Sequence, residues 1–210
     1  MVIAIDGPVG AGKSTVARAL AERLGFTYLD SGAMYRCVAL AARERGADPA
    51  VIAPSLRITL GERIALDGRD VTEEIRTPEV SAAASLVAAQ ADVRTALVAQ
   101  QRRILAQGDW VAEGRDIGTV VAPEAEVKVF LTADPDERAR RRAAELGVPQ
   151  ERIRSEQAER DERDVTRSHA PLRAAEDATV LDTTSLDLDG VVDRIIELAV
   201  DSGALSTEHG

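Results

Sequence analysis

Val2-Ile3-Ala4-Ile5-Asp6-Gly7-Pro8-Val9-Gly10-Ala11-Gly12-Lys13-Ser14-Thr15 is the stretch that decides how this chain folds. Its first residues form a short apolar run that reads as a strand. Residues 7–14 match G-x-x-x-x-G-K-[ST] at every fixed position. Beyond them Val16, Leu20 and Leu24 recur at i, i+4 and i+8, the stripe of an amphipathic helix, with Gly25 placed to end it. Strand, glycine-rich loop and helix in this order make a phosphate-binding P-loop. The glycines turn the backbone so that successive N–H groups point into one concavity, and the positive end of the helix dipole adds to the field. Gly7, Pro8, Val9, Gly10, Ala11, Gly12, Lys13, Ser14 and Thr15 are therefore the expected triphosphate site. Lys13 is expected at the β- and γ-phosphates, and the Ser14 hydroxyl on Mg²⁺.

The bulk numbers fit one α/β domain of this kind. The chain has 210 residues, 45% of them hydrophobic but only 2% aromatic, so its core is built from Ala, Val, Leu and Ile. A net charge of −10 argues against a protein that coats nucleic acid or lies on a membrane. Of 26 basic residues only Lys13 and Lys128 are lysine. The arginine excess suits bidentate phosphate binding, although a general Arg and Ala bias accounts for most of it. Cys37 is the single cysteine, which excludes an intrachain disulfide, and it lies in an apolar helical stretch where a packed thiol is expected. His169 and His209 cannot build a metal site alone. No apolar run reaches membrane-spanning length and the first residues go straight into a strand, so a cytoplasmic protein is expected.

Further along, short apolar runs at Val2–Asp6, Thr27–Asp30, Trp110–Glu113, Val127–Leu131 and Thr179–Asp182 alternate with helical patterns, which predicts a parallel sheet with βαβ crossovers. Asp134-Pro135-Asp136-Glu137 supplies an N-cap, a proline at N1 and a glutamate at N3. Residues 56–71 break the rhythm, with alternating strands separated by Gly61 and by Asp67-Gly68, and predict a small antiparallel meander. Two Ala-rich helices are expected over 78–90 and 92–107. The segment Asp201 to Gly210 reads as a frayed tail.

A phosphotransferase needs an acceptor site opposite the γ-phosphate, and four clusters qualify. Asp30-Ser31-Gly32-Ala33-Met34-Tyr35-Arg36 and Gly114-Arg115-Asp116-Ile117-Gly118-Thr119 each follow a predicted strand, at the sheet edge where ligands bind in open α/β folds. Arg36 and Arg115 are thus expected to converge on one phosphate; the alternative is a pair of capping turns with solvated arginines. Arg160, Asp164 and Arg167 fall at i, i+4 and i+7, which places a carboxylate between two guanidiniums on one helix face or simply makes a charged surface. Arg138, Arg141 and Arg142 on the capped helix either line a lid over the triphosphate or face solvent.

Taken in order, these segments resemble the bacterial cytidylate kinase family, the short-insert branch of the nucleoside monophosphate kinases. The likeness runs from the P-loop through Leu29–Arg36, Glu74-Ile75-Arg76-Thr77 with Val80, Gly114–Val121, the Arg160–Arg167 block and Asp182-Thr183-Thr184. It covers nearly the whole chain. The D-S-G-A-x-Y-R and G-R-D-x-G-T-V-V segments are the specific part. One departure is Ala170, before Pro171-Leu172, where many members carry Ser.

The resemblance implies a P-loop core with a five-stranded parallel sheet (about 1–54 and 92–200), a small antiparallel monophosphate-binding insert (about 55–91) and a helical lid (about 138–170). It implies phosphoryl transfer from MgATP to CMP or dCMP in pyrimidine metabolism. In that assignment Arg36 and Arg115 bind the acceptor phosphate, Ser31 lines its site, and Ser85, Arg94 and Asp116 read the cytosine. Arg160, Asp164 and Arg167 face the pentose, and Arg141 serves the transferring group from the lid. Partners are then nucleotides alone, with neither nucleic acid nor membrane, and the chain is expected to be a monomer. A carboxylate at Asp116 suits cytosine, whose amino group donates where uracil offers a carbonyl; two facing acceptors would leave a buried group unpaired at about 1–3 kcal/mol.

The chemistry needs no general base, because the acceptor phosphate already carries about −1.5 to −2 charge. It needs two polyanions brought in line and their charge neutralised. Another small-molecule P-loop kinase is the competing enzyme reading. A GTPase switch is opposed by the complete lack of asparagine, which the guanine-reading N-K-x-D motif requires. A nucleic-acid-dependent ATPase is opposed by the acidity and the scarcity of aromatic stacking residues.

Overall fold

A computed structural model describes residues 1–206 of the chain; His209 and the last part of the expected tail lie outside the described residues. In chain order the elements are β1 (Val2–Asp6), α1 (Lys13–Leu24), β2 (Thr27–Asp30), α2 (Ser31–Arg45), α3 (Pro49–Ile52), β3 (Ile58–Thr59), β4 (Ala65–Leu66), β5 (Arg69–Asp70), α4 (Pro78–Val87), α5 (Ala91–Leu105), β6 (Trp110–Gly114), β7 (Val127–Thr132), α6 (Pro135–Leu146), α7 (Gln150–Thr166), β8 (Thr179–Asp182) and α8 (Leu188–Asp201). All five predicted core strands are present. They form one sheet in the order β2-β6-β1-β7-β8, and β1 pairs in parallel with β6 and β7, as β7 does with β8.

The chain divides into two compact units, Met1–Tyr28 with Gly108–Gly210 and Leu29–Gln107. In the first, β1 is central, and Ile3 and Ile5 are wholly buried among Val16, Leu20, Val129, Leu131 and Ile195. Strands covered on both faces need apolar residues at successive positions, which is why they are legible as short runs. Parallel register brings the carboxyl ends to one edge: Asp6 stands opposite Gly114 on one side and Phe130 on the other. The P-loop leaves from that edge. Helix α6 starts as read, with the Asp134 side chain accepting from the N–H groups of Asp136 and Glu137 and Pro135 at N1. It packs on α7, with Ala139, Ala143 and Ile153 between them.

In the second unit α2 is the spine. Asp30 caps it by accepting from Ala33 N, and Met34, Val38 and Ala41 are fully buried against Leu66, Ile75, Val80 and Leu97. The meander is as predicted, antiparallel in the order β3-β4-β5. The first Ala-rich helix is shorter than expected, 78–87, with Gln90 extended before the second, which runs 91–105 and ends two residues early. The one-turn α3, capped by Asp48 with Pro49 at N1, has no counterpart in the expectations. The expected insert boundaries, 55 and 91, fall inside this unit, whose core is shared with α2 and α5. Cys37 is fully buried here, and burial pushes its thiol up to about 12. Among the described residues no single helix is long and apolar enough to cross a membrane.

Candidate active site

The P-loop leaves β1 at Asp6 and enters α1 at Lys13. Gly10 adopts φ +77°, a left-handed conformation that favours glycine, and a Cβ there would meet Gln157 Nε2 at 2.5 Å and push that side chain aside. Gly12, at φ +85°, is the N-cap of α1 with no side chain in the capping position, which leaves the first-turn N–H groups to a ligand. Lys13 is buried and its Nζ donates to Pro8 O at 2.6 Å. Burial, followed by the Arg115 charge, pushes the ammonium down to about 7; Glu113, Asp6 and Asp164 pull the other way.

Ser14 Oγ donates to Glu113 Oε1 at 2.5 Å, and Tyr28 Oη donates to the same oxygen at 2.8 Å. Glu113 comes from β6, next to β1, and is buried. A hydroxyl beside a carboxylate at the foot of a phosphate cradle is a hard-oxygen donor set suited to Mg²⁺, which keeps waters and takes its other ligands from substrate phosphates. Among the described residues no three His, Cys, Asp or Glu side chains gather into a metal cage, and Mg²⁺ bound in this manner needs none.

Asp6 is the second buried acid that the motif reading passed over. Its two oxygens accept from Ile117 N and Gly118 N, both at 2.8 Å. This holds the start of a five-residue π-turn, Ile117–Val121, immediately after Arg115 and Asp116. Burial is the main reason its carboxyl is pushed up to about 6, with the nearby Asp116 charge adding and the two N–H bonds opposing. Both acids carried a signal in sequence: an acidic residue closing an otherwise apolar strand, just before glycine, is out of place unless it is used.

Arg115 Nε donates to Asp164 Oδ2 at 2.9 Å, which joins two of the four clusters. Asp116 is buried. Helix α7 ends at Thr166, and Arg167 closes it, its N–H still donating to Arg163 O at 3.1 Å. It is the C-cap in extended conformation, and its Nε donates to Ala170 O at 2.6 Å. Ala170, the residue that departs from the family pattern, has φ +50° and therefore holds a left-handed conformation costly for a residue with a Cβ.

The α6 arginines part company. Arg138 Nη1 donates to Val9 O at 2.7 Å and pairs with Asp161 at 2.5 Å, so this arginine reaches the P-loop. Arg141 turns instead to Glu137 and to the carbonyls of Thr183 and Thr184, after β8. Arg142 pairs with Glu145 at the surface.

Ser31, Arg36, Ser85 and Arg94 all belong to the second unit. Ser31 is buried at the start of α2. Arg36 Nη2 donates to Asp30 Oδ2 at 2.8 Å while Asp30 Oδ1 caps the helix, so one carboxylate fixes both the helix start and the guanidinium one turn later. Arg94, on α5, is buried with its guanidinium 5.7 Å from the Tyr35 ring centroid and Nη1 donating to Ala88 O at 3.3 Å. Such an arginine is held in place before any ligand arrives.

A parallel sheet with a P-loop at its carboxyl edge and a lysine and serine at the start of the helix that follows is the arrangement of the P-loop kinase class of phosphotransferases. A gluconokinase from Sinorhizobium meliloti 1021 has this fold, with a TM-score of 0.53 at 18% identity over 99% of this chain and 96% of its own. Within that class the chain belongs to the cytidylate kinase family, whose model matches residues 3–201. It is 50% identical to the cytidylate kinase of Carboxydothermus hydrogenoformans (94% of this chain, 96% of that one) and to that of Exiguobacterium sibiricum (97% of each).

Proposed function

We propose that this chain transfers the γ-phosphoryl group of ATP to CMP or dCMP, giving ADP and CDP or dCDP. Family membership over residues 3–201 is the observation that carries the choice of acceptor. The donor half rests on Lys13 at the start of α1 with Ser14 bonded to Glu113 beneath it. Ser14, backed by Glu113, is the group that would hold Mg²⁺. Bound there, the ion would neutralise charge on the triphosphate.

On this reading an oxygen of the acceptor phosphate forms the new bond to the γ-phosphorus as the bridging bond to ADP breaks. Lys13 and Arg115 offset the charge on the moving group, and Arg36 and Arg115 hold the acceptor phosphate. Asp164, which accepts from Arg115 Nε, and the Gly114 carbonyl, which accepts from Nη1 at 3.3 Å, orient that guanidinium for the anion. Ser85, Arg94 and Asp116 read the cytosine, while Arg160, Asp164 and Arg167 serve the pentose. The helix pair α6–α7 is the lid, from which Arg141 serves the transferring group once it leaves Glu137 and the Thr183 and Thr184 carbonyls.

A coupled assay of ADP formation with CMP, dCMP, UMP, AMP and GMP tests the proposal. CMP and dCMP are expected to turn over fastest. A faster reaction with any purine monophosphate would replace the acceptor assignment and leave the donor site standing.

A further inference from the structure

Val9, at the outer turn of the P-loop, is held on both sides by the α6–α7 pair. Its N–H donates to Asp161 Oδ1 at 3.0 Å, and its carbonyl accepts from Arg138 Nη1 at 2.7 Å. The Arg138–Asp161 ion pair at 2.5 Å closes the triangle. Arg138 is 8% exposed, and its Nε also donates to Ala133 O at 3.2 Å. The next loop residue, Gly10, lies directly against Gln157 and the Arg138 Cβ. Three acceptors thus surround one buried guanidinium, and a single carboxylate serves both it and a loop N–H. Such a network is stable only while every member is present: removing the acid strands a buried charge and a backbone donor together.

We propose that Asp161 is a positioning residue for the donor site. It touches neither nucleotide. Through Val9 N–H and Arg138 it fixes the outer turn of the P-loop, and with it the direction of the N–H groups from Gly10 to Ser14 that receive the phosphates. Because the carboxylate lies on α7 and the guanidinium on α6, packing of the helix pair and shaping of the loop become one event. The inference rests on the reading of the P-loop as the ATP site, and it names a residue that the loop motif does not contain.

The test measures ATP binding directly, by titration calorimetry without acceptor, and in parallel the steady-state KM values for ATP and CMP. Asp161→Ala removes both bonds; Asp161→Asn keeps an oxygen for Val9 N–H and removes the charge facing Arg138. Asp161→Ala is expected to weaken ATP binding about tenfold or more and to leave the CMP KM within about twofold. Asp161→Asn is expected to fall between it and the unmodified protein. Unchanged ATP affinity in a folded Asp161→Ala protein overturns the proposal, as does equal weakening of both substrates. If Asp161→Ala does not fold, Asp161→Asn decides alone: wild-type ATP affinity in it overturns the proposal, and selective loss supports it. ATP binding by the unmodified chain without CMP turnover would overturn the functional reading and leave the positioning role intact.

Discussion

Lys13 is the residue whose environment departs most from its chemistry in water. Buried and facing Arg115, its ammonium is pushed down to about 7 from an ordinary 10.5. A bound triphosphate favours the charged form, so ATP binding should take up a proton between about pH 7 and pH 10, and affinity should fall as pH rises through that window. Calorimetry in buffers of different ionisation enthalpy reads the uptake directly; a buffer-independent enthalpy at pH 8 would refute it. Lys13→Met should leave a folded protein with turnover reduced roughly a hundredfold to a thousandfold, the cost of losing one cation aimed at developing charge.

Asp6 works in the opposite sense. Its native carboxyl is raised to about 6 from 3.8, so the folded state holds the proton more tightly than the unfolded chain. That contribution to stability is complete below about pH 4 and is lost as pH rises through 6. Asp6→Asn should flatten the fall in melting temperature between those values. A further residue-scale test concerns Asp116, where Asn keeps the shape but exchanges an acceptor for a donor. The CMP-to-UMP ratio of kcat/KM should narrow by about tenfold for each 1.4 kcal/mol of discrimination lost. Equal slowing of both acceptors, relieved by excess Mg²⁺, would instead make Asp116 a partner of the ion's water shell.

At the scale of elements, what the sequence discloses depends on whether a signal is local. The five core strands are legible because each is an apolar run, and α6 because Asp134, Pro135 and Glu137 are adjacent in the chain. Asp134→Ala should therefore cost about 1 kcal/mol in equilibrium unfolding, the usual value of a lost cap. Helix α3 is a single turn and offers no period to detect. The π-turn at Ile117–Val121 escapes for another reason: its first N–H groups are satisfied by Asp6, more than a hundred residues earlier. The same holds for the site. The P-loop and its roles can be read from eight consecutive residues, whereas the pairing of Ser14 with Glu113, of Arg115 with Asp164 and of Val9 with Asp161 exists only after folding. Arg167 marks the limit of the spacing: its N–H makes the last helical bond, to Arg163 O, while its side chain is committed to Ala170 O beyond the helix end, which no period foretells.

Over the whole molecule, the scarcity of aromatic and sulfur-bearing side chains has a use. The only tryptophan, Trp110, opens β6 in the unit that carries the P-loop, and the only thiol, Cys37, is enclosed in the other unit. Each unit thus carries its own reporter without engineering. Indole emission follows one, and the rate at which a thiol reagent reaches Cys37 follows local opening of the other. Since Arg36, Ser85 and Arg94 belong to the Cys37 unit, CMP should slow that labelling more than ATP does at matched saturation. Equal protection by the two nucleotides would mean that opening at Cys37 does not distinguish acceptor from donor. A chain so poor in chromophores therefore lets its two halves be followed separately, one through its indole and the other through its thiol.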